Sequence, residues 1–337
     1  MTAIDTAPDA LPAIRRGWLP LLLPLVLALV VLPLIGAPST WLTLTIAGLA
    51  MGMMIFAMAS GLTLVFGLMD VLNFGHGAFI AAGSYLALVG LAPLAAWTQA
   101  DSLALNLLAL LPAALFAALL SGAIGAAFER VLVRPVYGRH LEQILITMGG
   151  LIVAEQMLYA LFGPQLIPLP LPSALRGSIV FAGAAVEKYR LLAVCVGLAI
   201  FAGLQLVLTR TKIGLLIRAG VEKREMVEAL GYRIRRLFVG VFMAGSALAG
   251  LGGMMWALYR EQVHASVGGE MMVLVFIVII IGGLGSVGGC FIGAILVALV
   301  ANYAGFLLPK LALISTIGLM VAVLAWRPRG LYLVTSR

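Results

Sequence analysis

Long apolar runs make up most of this chain, and only short polar stretches separate them. A bilayer-spanning helix needs about 20 predominantly apolar residues. The chain is 63% hydrophobic and only 10% charged, whereas soluble domains carry roughly a quarter charged residues. This balance excludes a soluble fold and predicts an all-α, polytopic transmembrane helical bundle. The candidate segments are 18–35, 41–68, 74–92, 103–128, 144–163, 190–209, 237–259, 271–284, 289–308 and 311–326.

Two of these regions, near 60–80 and near 271–290, are interrupted by glycine and polar residues. Each could be a half-helix or a re-entrant segment, so we expect about 8–10 membrane segments, some of them broken. Arg15 and Arg16 precede the first run in the layout of a signal peptide. The run is too long for one, and no small-residue cleavage site follows. We therefore expect a single transmembrane domain over 1–337 with a retained first span.

The orientation follows from the basic residues. The whole chain has 21 basic and 13 acidic residues. Eleven of these charged residues lie in the loop 210–236. With this loop in the cytoplasm, 16 of the 21 basic residues face inside, as do both termini. The net charge of +8 then reflects topology. No nucleic-acid partner is expected, because no basic face is interleaved with aromatic residues. The outside basic residues are Arg176, Lys188, Arg190, Arg260 and Lys310.

The same loop contains an amphipathic pattern over 214–231. Apolar residues recur at helical spacing, and Arg224 and Glu228 form an i, i+4 pair on the polar face. Gly231 is placed to end a helix. A loop that only sets topology needs few basic residues, so this pattern favours one or two short helices that dock a partner. The apolar positions are Leu215, Ala219, Met226, Ala229 and Leu230.

The loop 164–187 is the longest on the outer side. Four prolines open it, and SIVFAGAAV then has the pattern of a weak strand-turn-strand unit. A plain connecting loop and a platform for an external partner are both compatible with this pattern.

Polar residues interrupt the second apolar region at 67–77, GLMDVLNFGHG. Asp70, Asn73 and His76 are spaced i, i+3, i+6, which would place them near one face of a helix. They could line a substrate gate, or they could cap helix ends near the surface. Glu155 lies in the middle of another span, beside Gln156, and could line a pathway or make an interhelical hydrogen bond.

Glycines dominate IIIGGLGSVGG at 279–289, where they allow close helix contact or a sharp turn. GAFIAA (77–82) resembles GCFIGA (289–294), so an internal duplication and a chance match both remain possible. The chain has no GxxxxGK[ST] phosphate cradle, no Ser-His-Asp set, no zinc motif and no run of membrane carboxylates. These absences predict a conduit, not an enzyme, without a metal or cofactor of its own.

Several motifs together resemble those of one family. GLTLVFGLMDVLNFGHGAFIAAGSYLA (61–87) resembles the signature of permease subunits of branched-chain amino acid ABC importers. LIRAGVEKREMVEALGYRIRRL (216–237) is similar to the family's cytoplasmic coupling segment. IIIGGLGSVGGCFIGAIL (279–296) and WRPRGLY (326–332) match as well. The chain is identified as similar to the shorter, H-type permease of that family.

The resemblance implies a bacterial inner-membrane importer subunit with separate partners. These are a second homologous permease, two cytoplasmic ATPases that bind ATP, and a periplasmic solute-binding protein. On matching positions the resemblance assigns Arg218, Glu222, Arg224, Glu225, Leu230 and Gly231 to the ATPase-coupling segment. Asn73, Gly75, His76 and Gly77 would belong to the signature break. Apart from the resemblance, the residues themselves make Asn73, His76 and Glu155 candidates for a substrate pathway or gate. The glycines implied as structural are Gly75, Gly77, Gly283 and Gly285.

Two positions depart from the family pattern, Ala78 and Glu155. The solute therefore stays open among branched-chain amino acids, urea, amides and organic acids. The alternative function is a stand-alone channel or ion-coupled carrier that needs no ATPase.

Overall fold

The computed structural model describes residues 19–212, 214–216, 219, 231 and 234–332. Helices dominate them, and seven are long and apolar enough to cross a membrane, with three shorter apolar helices beside them. The predicted all-α, polytopic transmembrane bundle is confirmed. Its helices are α1 Leu19–Ile35, α2 Pro38–Met69, α3 His76–Leu91, α4 Ala95–Gln99, α5 Leu103–Phe128, α6 His140–Phe162, α7 Lys188–Arg210, α8 Ile234–Arg260, α9 Val267–Gly282, α10 Val287–Leu307 and α11 Ala312–Trp326.

Both regions that were expected to be broken are breaks between helices. Residues 70–75 separate α2 from α3, and residues 283–286 separate α9 from α10. The 16 residues of α9 rise about 1.5 Å each, so α9 is shorter than the roughly 30 Å hydrocarbon core. We call residues 70–77, the segment between the two helices together with the first two residues of α3, the first break, and residues 283–286 the second break.

Helix α2 lies at the centre of the bundle, and α6 lies at its edge. Of the most apolar window of α2, 83% is buried inside the chain, against 6% for α6. Helices α8 and α10 pack along α2, and α3 packs against α8 and α5. The helices approach closely through small residues. A Cβ built on Gly61 of α2 would lie 2.2 Å from the carbonyl oxygen of Gly245 in α8.

The outer loop contains a β-hairpin. Strands β2 Ser178–Phe181 and β3 Ala184–Glu187 pair antiparallel, which confirms the strand-turn-strand prediction. Ala182 and Gly183 form the turn at φ 51° and 78°, as two-residue hairpin turns require. Strand β1 Ile167–Pro168 pairs with β4 Gln262–Val263. This pairing joins the loop to the end of α8, on the side where the charge pattern places both.

Candidate functional site

The two breaks meet at one end of the bundle. A Cβ on Gly67, near the end of α2, would lie 2.7 Å from Cα of Gly285 in the second break. In the first break the ring of Phe74 lies 4.7 Å, centroid to centroid, from that of Phe276 in α9. The structure therefore brings together two motifs that lie more than 200 residues apart in the chain.

The first break does not place its polar residues on one helix face, as the i, i+3, i+6 spacing suggested. Helix α2 ends at Met69 because Asp70 takes a left-handed conformation with φ 52°. Asp70 is exposed, whereas Asn73 and His76 are fully buried. The helical-face prediction was wrong because it assumed that the helix continued through this segment.

His76 begins α3 and points into the core against α2. Its Nε2 lies 2.9 Å from the carbonyl oxygen of Met58, so the neutral ring donates there. A Cβ on Gly61 would lie 3.0 Å from His76 Cε1, which shows how closely the ring is packed. The second ring nitrogen, Nδ1, is buried without a hydrogen-bond partner. One ring nitrogen of His76 is therefore hydrogen-bonded, and the other is not.

Asn73 is buried with neither its amide nitrogen nor its amide oxygen hydrogen-bonded. The capping alternative is therefore not realised by this side chain, and the N-cap of α3 is Gly75, which has no side-chain capping bond. A buried polar group without a partner costs about 1–3 kcal/mol. Few such groups occur in native structures, and each calls for an explanation, such as a bound water or a functional role.

A contact from α6 holds the first break in place, and the sequence did not indicate it. The backbone N–H of Phe74 donates to Oγ1 of Thr147 at 3.2 Å. Thr147 is fully buried and donates to the carbonyl oxygen of Gln143 one turn earlier. The single threonine in an apolar helix was the available signal, but only the fold shows what it contacts.

The glycines of the first break lie where side chains would not fit. A Cβ on Gly75 would lie 2.5 Å from Cζ of Phe128, at the end of α5. A Cβ on Gly77 would lie 2.6 Å from the carbonyl oxygen of Gly268 in α9. At Gly77 the obstacle is backbone, so α3 packs on α9 only with glycine there. At Gly75 the obstacle is the end of the Phe128 ring, which a side chain would have to displace.

The second break is built from backbone groups. Gly283 and Gly285 have φ of 95° and 83°, a region that residues with a Cβ rarely adopt. Ser286 caps α10 by accepting a hydrogen bond from the Gly289 N–H at 3.1 Å. The glycine-rich motif thus forms a tight turn between α9 and α10.

The WRPRGLY motif closes over this turn. Leu331 N–H donates to the carbonyl oxygen of Ile281 at 2.8 Å, and Tyr332 N–H donates to that of Gly282 at 3.1 Å. Arg327 Nη1 donates to the Leu331 carbonyl oxygen at 2.9 Å, which holds the segment folded. Burial raises the pKa of Tyr332, and the charge of Arg327 opposes that shift. Residues 327–332 therefore satisfy carbonyl groups that the end of α9 would leave unpaired.

Glu155 is not brought to either break. It lies midway along α6, partly exposed, and makes no hydrogen bond or ion pair with another residue of the described ranges. Its neighbour Gln156 is exposed as well. Neither the interhelical hydrogen bond nor a shared pathway with Asn73 is visible in this arrangement.

Most of the predicted coupling segment lies outside the described residues, namely Arg218, Glu222, Arg224, Glu225 and Leu230. Gly231 is described, exposed, and has φ 85°. This left-handed conformation is the one expected of a glycine that follows a helix end. Nearby, Leu215 is 61% exposed, so an apolar side chain of the loop is accessible.

A separate groove of about 520 Å³ runs between α1, α2, α7 and α10. Its lining is almost wholly apolar, with Thr45 and Gln205 among the few polar residues. None of the predicted gate residues lines it. Within the described ranges, no group of three or more His, Cys, Asp or Glu residues could hold a metal ion.

Comparison with known proteins gives a consistent result over most of the chain. Residues 44–324 match the family described as branched-chain amino acid transport system / permease component. The chain is 27% identical over 290 residues to the high-affinity branched-chain amino acid transport system permease protein BraD of Pseudomonas aeruginosa, covering 84% of this chain and 93% of BraD. No solved structure matches the chain.

Two enterobacterial proteins named as high-affinity branched-chain amino acid transport system permease protein LivH are also similar. Identity over 294 residues is 24% for the Salmonella typhimurium protein and 25% for the Escherichia coli K12 protein. Each alignment covers 84% of this chain and 92% of the relative. Because the family match includes both breaks and nearly every membrane helix, the chain belongs to the branched-chain amino acid transport system permease family.

Proposed function

We propose that the chain is the membrane-spanning subunit of an ATP-binding-cassette importer in the bacterial inner membrane. It would carry branched-chain amino acids or a related small polar or carboxylate solute. The match of residues 44–324 to permease components carries this proposal. A second homologous permease, two cytoplasmic ATPases and a periplasmic solute-binding protein would complete the assembly. ATP would bind to the ATPases, and this chain would need no cofactor.

The loop 210–236 is the proposed point where the ATPases act on the chain. It joins α7 to α8, and α8 packs directly along α2 and α3, the two helices that flank the first break. A movement of the loop can therefore reach the first break through a single helix, α8. Among the described residues of the loop, Gly231 is left-handed, as the predicted helix stop requires, and Leu215 exposes an apolar side chain.

The first break is the proposed gate, with Asn73 and His76 as its polar residues. In the present arrangement three of their side-chain polar atoms are buried and unpaired. An alternative packing that gave these atoms water, solute or protein partners would recover about 1–3 kcal/mol for each. Such a difference is large enough to bias two conformations that alternate access. Glu155 stays a pathway prediction without a contact that supports it.

The test is uptake of radiolabelled leucine by membrane vesicles that contain the full assembly, with Glu225→Lys in this chain. Reversing this charge is expected to lower ATP-dependent uptake by about tenfold or more and to weaken co-purification of the ATPases. The matched control is Glu187→Lys on the opposite face, where Glu187 is exposed and pairs with Arg190 at 2.7 Å. Exposed pairs of this kind contribute little, so uptake should stay near wild type.

The same experiment separates the importer from a stand-alone channel or carrier. Leucine flux through the purified chain alone, unchanged by ATP and by Glu225→Lys, would overturn the proposal. If leucine is not taken up but another small amide or carboxylate solute is taken up with ATP, the importer assignment holds and only the solute changes.

A further inference from the structure

Four arginines line one cleft at the end of the bundle that carries the two breaks. Arg130 lies in the π-helical turn Glu129–Val133 that follows α5, and Arg134 begins the next helical turn. Arg235 and Arg236 come from the start of α8, and Val239 completes the lining. The cleft has a volume of about 330 Å³. All four arginines are exposed, and none makes an ion pair or hydrogen bond with another residue of the described part of the chain.

Among the described residues, the carboxylate nearest in the chain to these arginines does not neutralise their charge. Glu129 directly precedes Arg130, but its side chain is fully buried and accepts a hydrogen bond from the Tyr137 hydroxyl. The π-helical turn Glu129–Val133 directs Glu129 inward and Arg130 outward. Four like charges around one small cleft repel one another, so an anion that binds there relieves that repulsion.

The geometry suits a phosphate group. Guanidinium groups are planar, remain charged, and bind phosphate oxygens through paired N–H donors. Basic clefts between membrane helices at the bilayer surface are sites where anionic phospholipid headgroups bind. Here the arginines stand on two adjacent helix ends, so one phosphate can contact both helices at once.

An apolar surface continues from the cleft along the same two helices. Val239 belongs to the cleft, and one turn further along α8 Met243 is 46% exposed. A Cβ on Gly122 of α5 would lie 3.2 Å from Met243 Cγ, so Met243 lies in the seam between α5 and α8. On α5, Leu119 is 72% exposed. An acyl chain can lie along this strip while its phosphate reaches the arginines.

We propose that this cleft binds the phosphate of an anionic phospholipid, whose acyl chains follow the seam between α5 and α8. The apolar strip favours a lipid over an acidic protein surface, because a protein docked at the cleft would leave the strip uncovered. The site joins α5 to the helix that follows the coupling loop. A bound lipid therefore holds α8 in place at the end where the ATPases are proposed to act.

The test titrates purified full-length chain with dioleoylphosphatidylglycerol and follows lipid adducts by native mass spectrometry. We compare wild type with Arg130→Gln/Arg235→Gln. Each basic side chain near an anionic lipid contributes roughly fivefold in affinity, so the pair should weaken the tightest binding by about twenty-fivefold. The control Arg139→Gln/Arg329→Gln removes two charges predicted to face the same side of the membrane. Arg139 and Arg329 do not line the cleft, so this pair should bind like wild type.

Three further measurements make the outcome decisive. Wild type should bind dioleoylphosphatidylcholine at least tenfold more weakly, and equal binding of the two lipids would overturn the proposal. Inorganic phosphate at millimolar concentration should displace little lipid, and full displacement would make the cleft a soluble-anion site instead. If the glutamine pair binds lipid normally but loses ATPase co-purification, the cleft serves the ATPase and the lipid proposal fails.

The conservative pair Arg130→Lys/Arg235→Lys covers the case in which the glutamine pair does not fold. It keeps the charge and loses the paired donors, so it should bind phosphatidylglycerol several-fold more weakly than wild type. Binding equal to wild type would overturn the assignment of phosphate to these guanidinium groups.

Discussion

The two breaks lie side by side, but they satisfy their polar groups in different ways. The second break relies mainly on backbone: left-handed glycines turn the chain, and residues 331–332 pair with the last carbonyl groups of α9. Its one named side-chain contact is the cap of α10, in which Ser286 Oγ accepts from the Gly289 N–H. The first break uses side chains, and three of their buried polar atoms stay unpaired. One side-chain contact, from Phe74 N–H to Thr147, anchors it to a peripheral helix.

This difference separates a fixed turn from a candidate moving part. Rearranging the second break would break hydrogen bonds that it already makes, so the break gains nothing by moving. A segment with unpaired buried groups can gain hydrogen bonds by moving. The second break should therefore respond to substitution through stability, and the interior of the first break through transport.

The largest effect is expected where a side chain is forced between α3 and α9. Gly77→Val places atoms 2.6 Å from the Gly268 carbonyl oxygen and should lower the free energy of unfolding by about 3 kcal/mol or more. Gly149→Val on α6 is the control, since nothing lies within 4 Å of its Cβ position. Thermal unfolding in detergent measures both, and equal melting temperatures would show that α3 and α9 are not in close contact.

A smaller effect is expected at the second break. Gly283→Ala imposes a left-handed residue with φ 95° and a Cβ 2.3 Å from the Tyr332 carbonyl oxygen. Gly36→Ala imposes a left-handed residue with φ 73° in open space. Both should lose about 1–2 kcal/mol through backbone strain, and Gly283→Ala about 1 kcal/mol more through the clash.

Hydrogen exchange at the Tyr332 amide is a second, independent measurement on Gly283→Ala and Gly36→Ala. Protection should fall in Gly283→Ala and stay unchanged in Gly36→Ala. Equal losses of stability in both variants would mean that residues 327–332 do not rest on the second break.

The smallest effect on stability is expected at Asn73. Its variant is best compared with that of Asn106, a buried asparagine that makes hydrogen bonds. Asn106 is equally buried, but its amide donates to the carbonyl oxygens of Trp97 and Ala100 at 2.7 Å and 3.0 Å and accepts from Ala174 N–H at 2.8 Å. Asn106→Leu should therefore cost about 3 kcal/mol. Asn73→Leu removes an unpaired amide and should change stability by about 1 kcal/mol or less, while leucine uptake falls about tenfold.

Melting temperature and uptake are measured together for both asparagine variants. A loss of stability in Asn73→Leu as large as that in Asn106→Leu would show that Asn73 is a paired structural residue. Normal uptake in Asn73→Leu would remove it from the gate.

The sequence was sufficient for the parts of the fold that depend on local properties. The ends of the helices fall within a few residues of the apolar runs, because membrane insertion depends on apolar length. The hairpin at 178–187 was readable from its β-branched residues and its glycine. The positions of both breaks were visible from their glycines.

The contacts that make the candidate site were not readable, since each joins distant segments. Nothing near Gly67 indicates Gly285, and nothing near Phe74 indicates Thr147. The helical face predicted for Asp70, Asn73 and His76 failed at one residue, where Asp70 adopts a left-handed conformation. The four arginines of the cleft were recognised only as topological charge, because their proximity depends on how α5 and α8 pack.

The pairing of residues 331–332 with the end of α9 also sets an order of biosynthesis. Translation proceeds from the N-terminus, so α9, the second break and α10 are made before Leu331 and Tyr332. The carbonyl groups of Ile281 and Gly282 receive these two donors only after α11 has followed α10 out of the ribosome. This end of the bundle is therefore completed last. A ribosome stalled within α11 leaves a chain in which the carbonyl groups of Ile281 and Gly282 still lack these two donors.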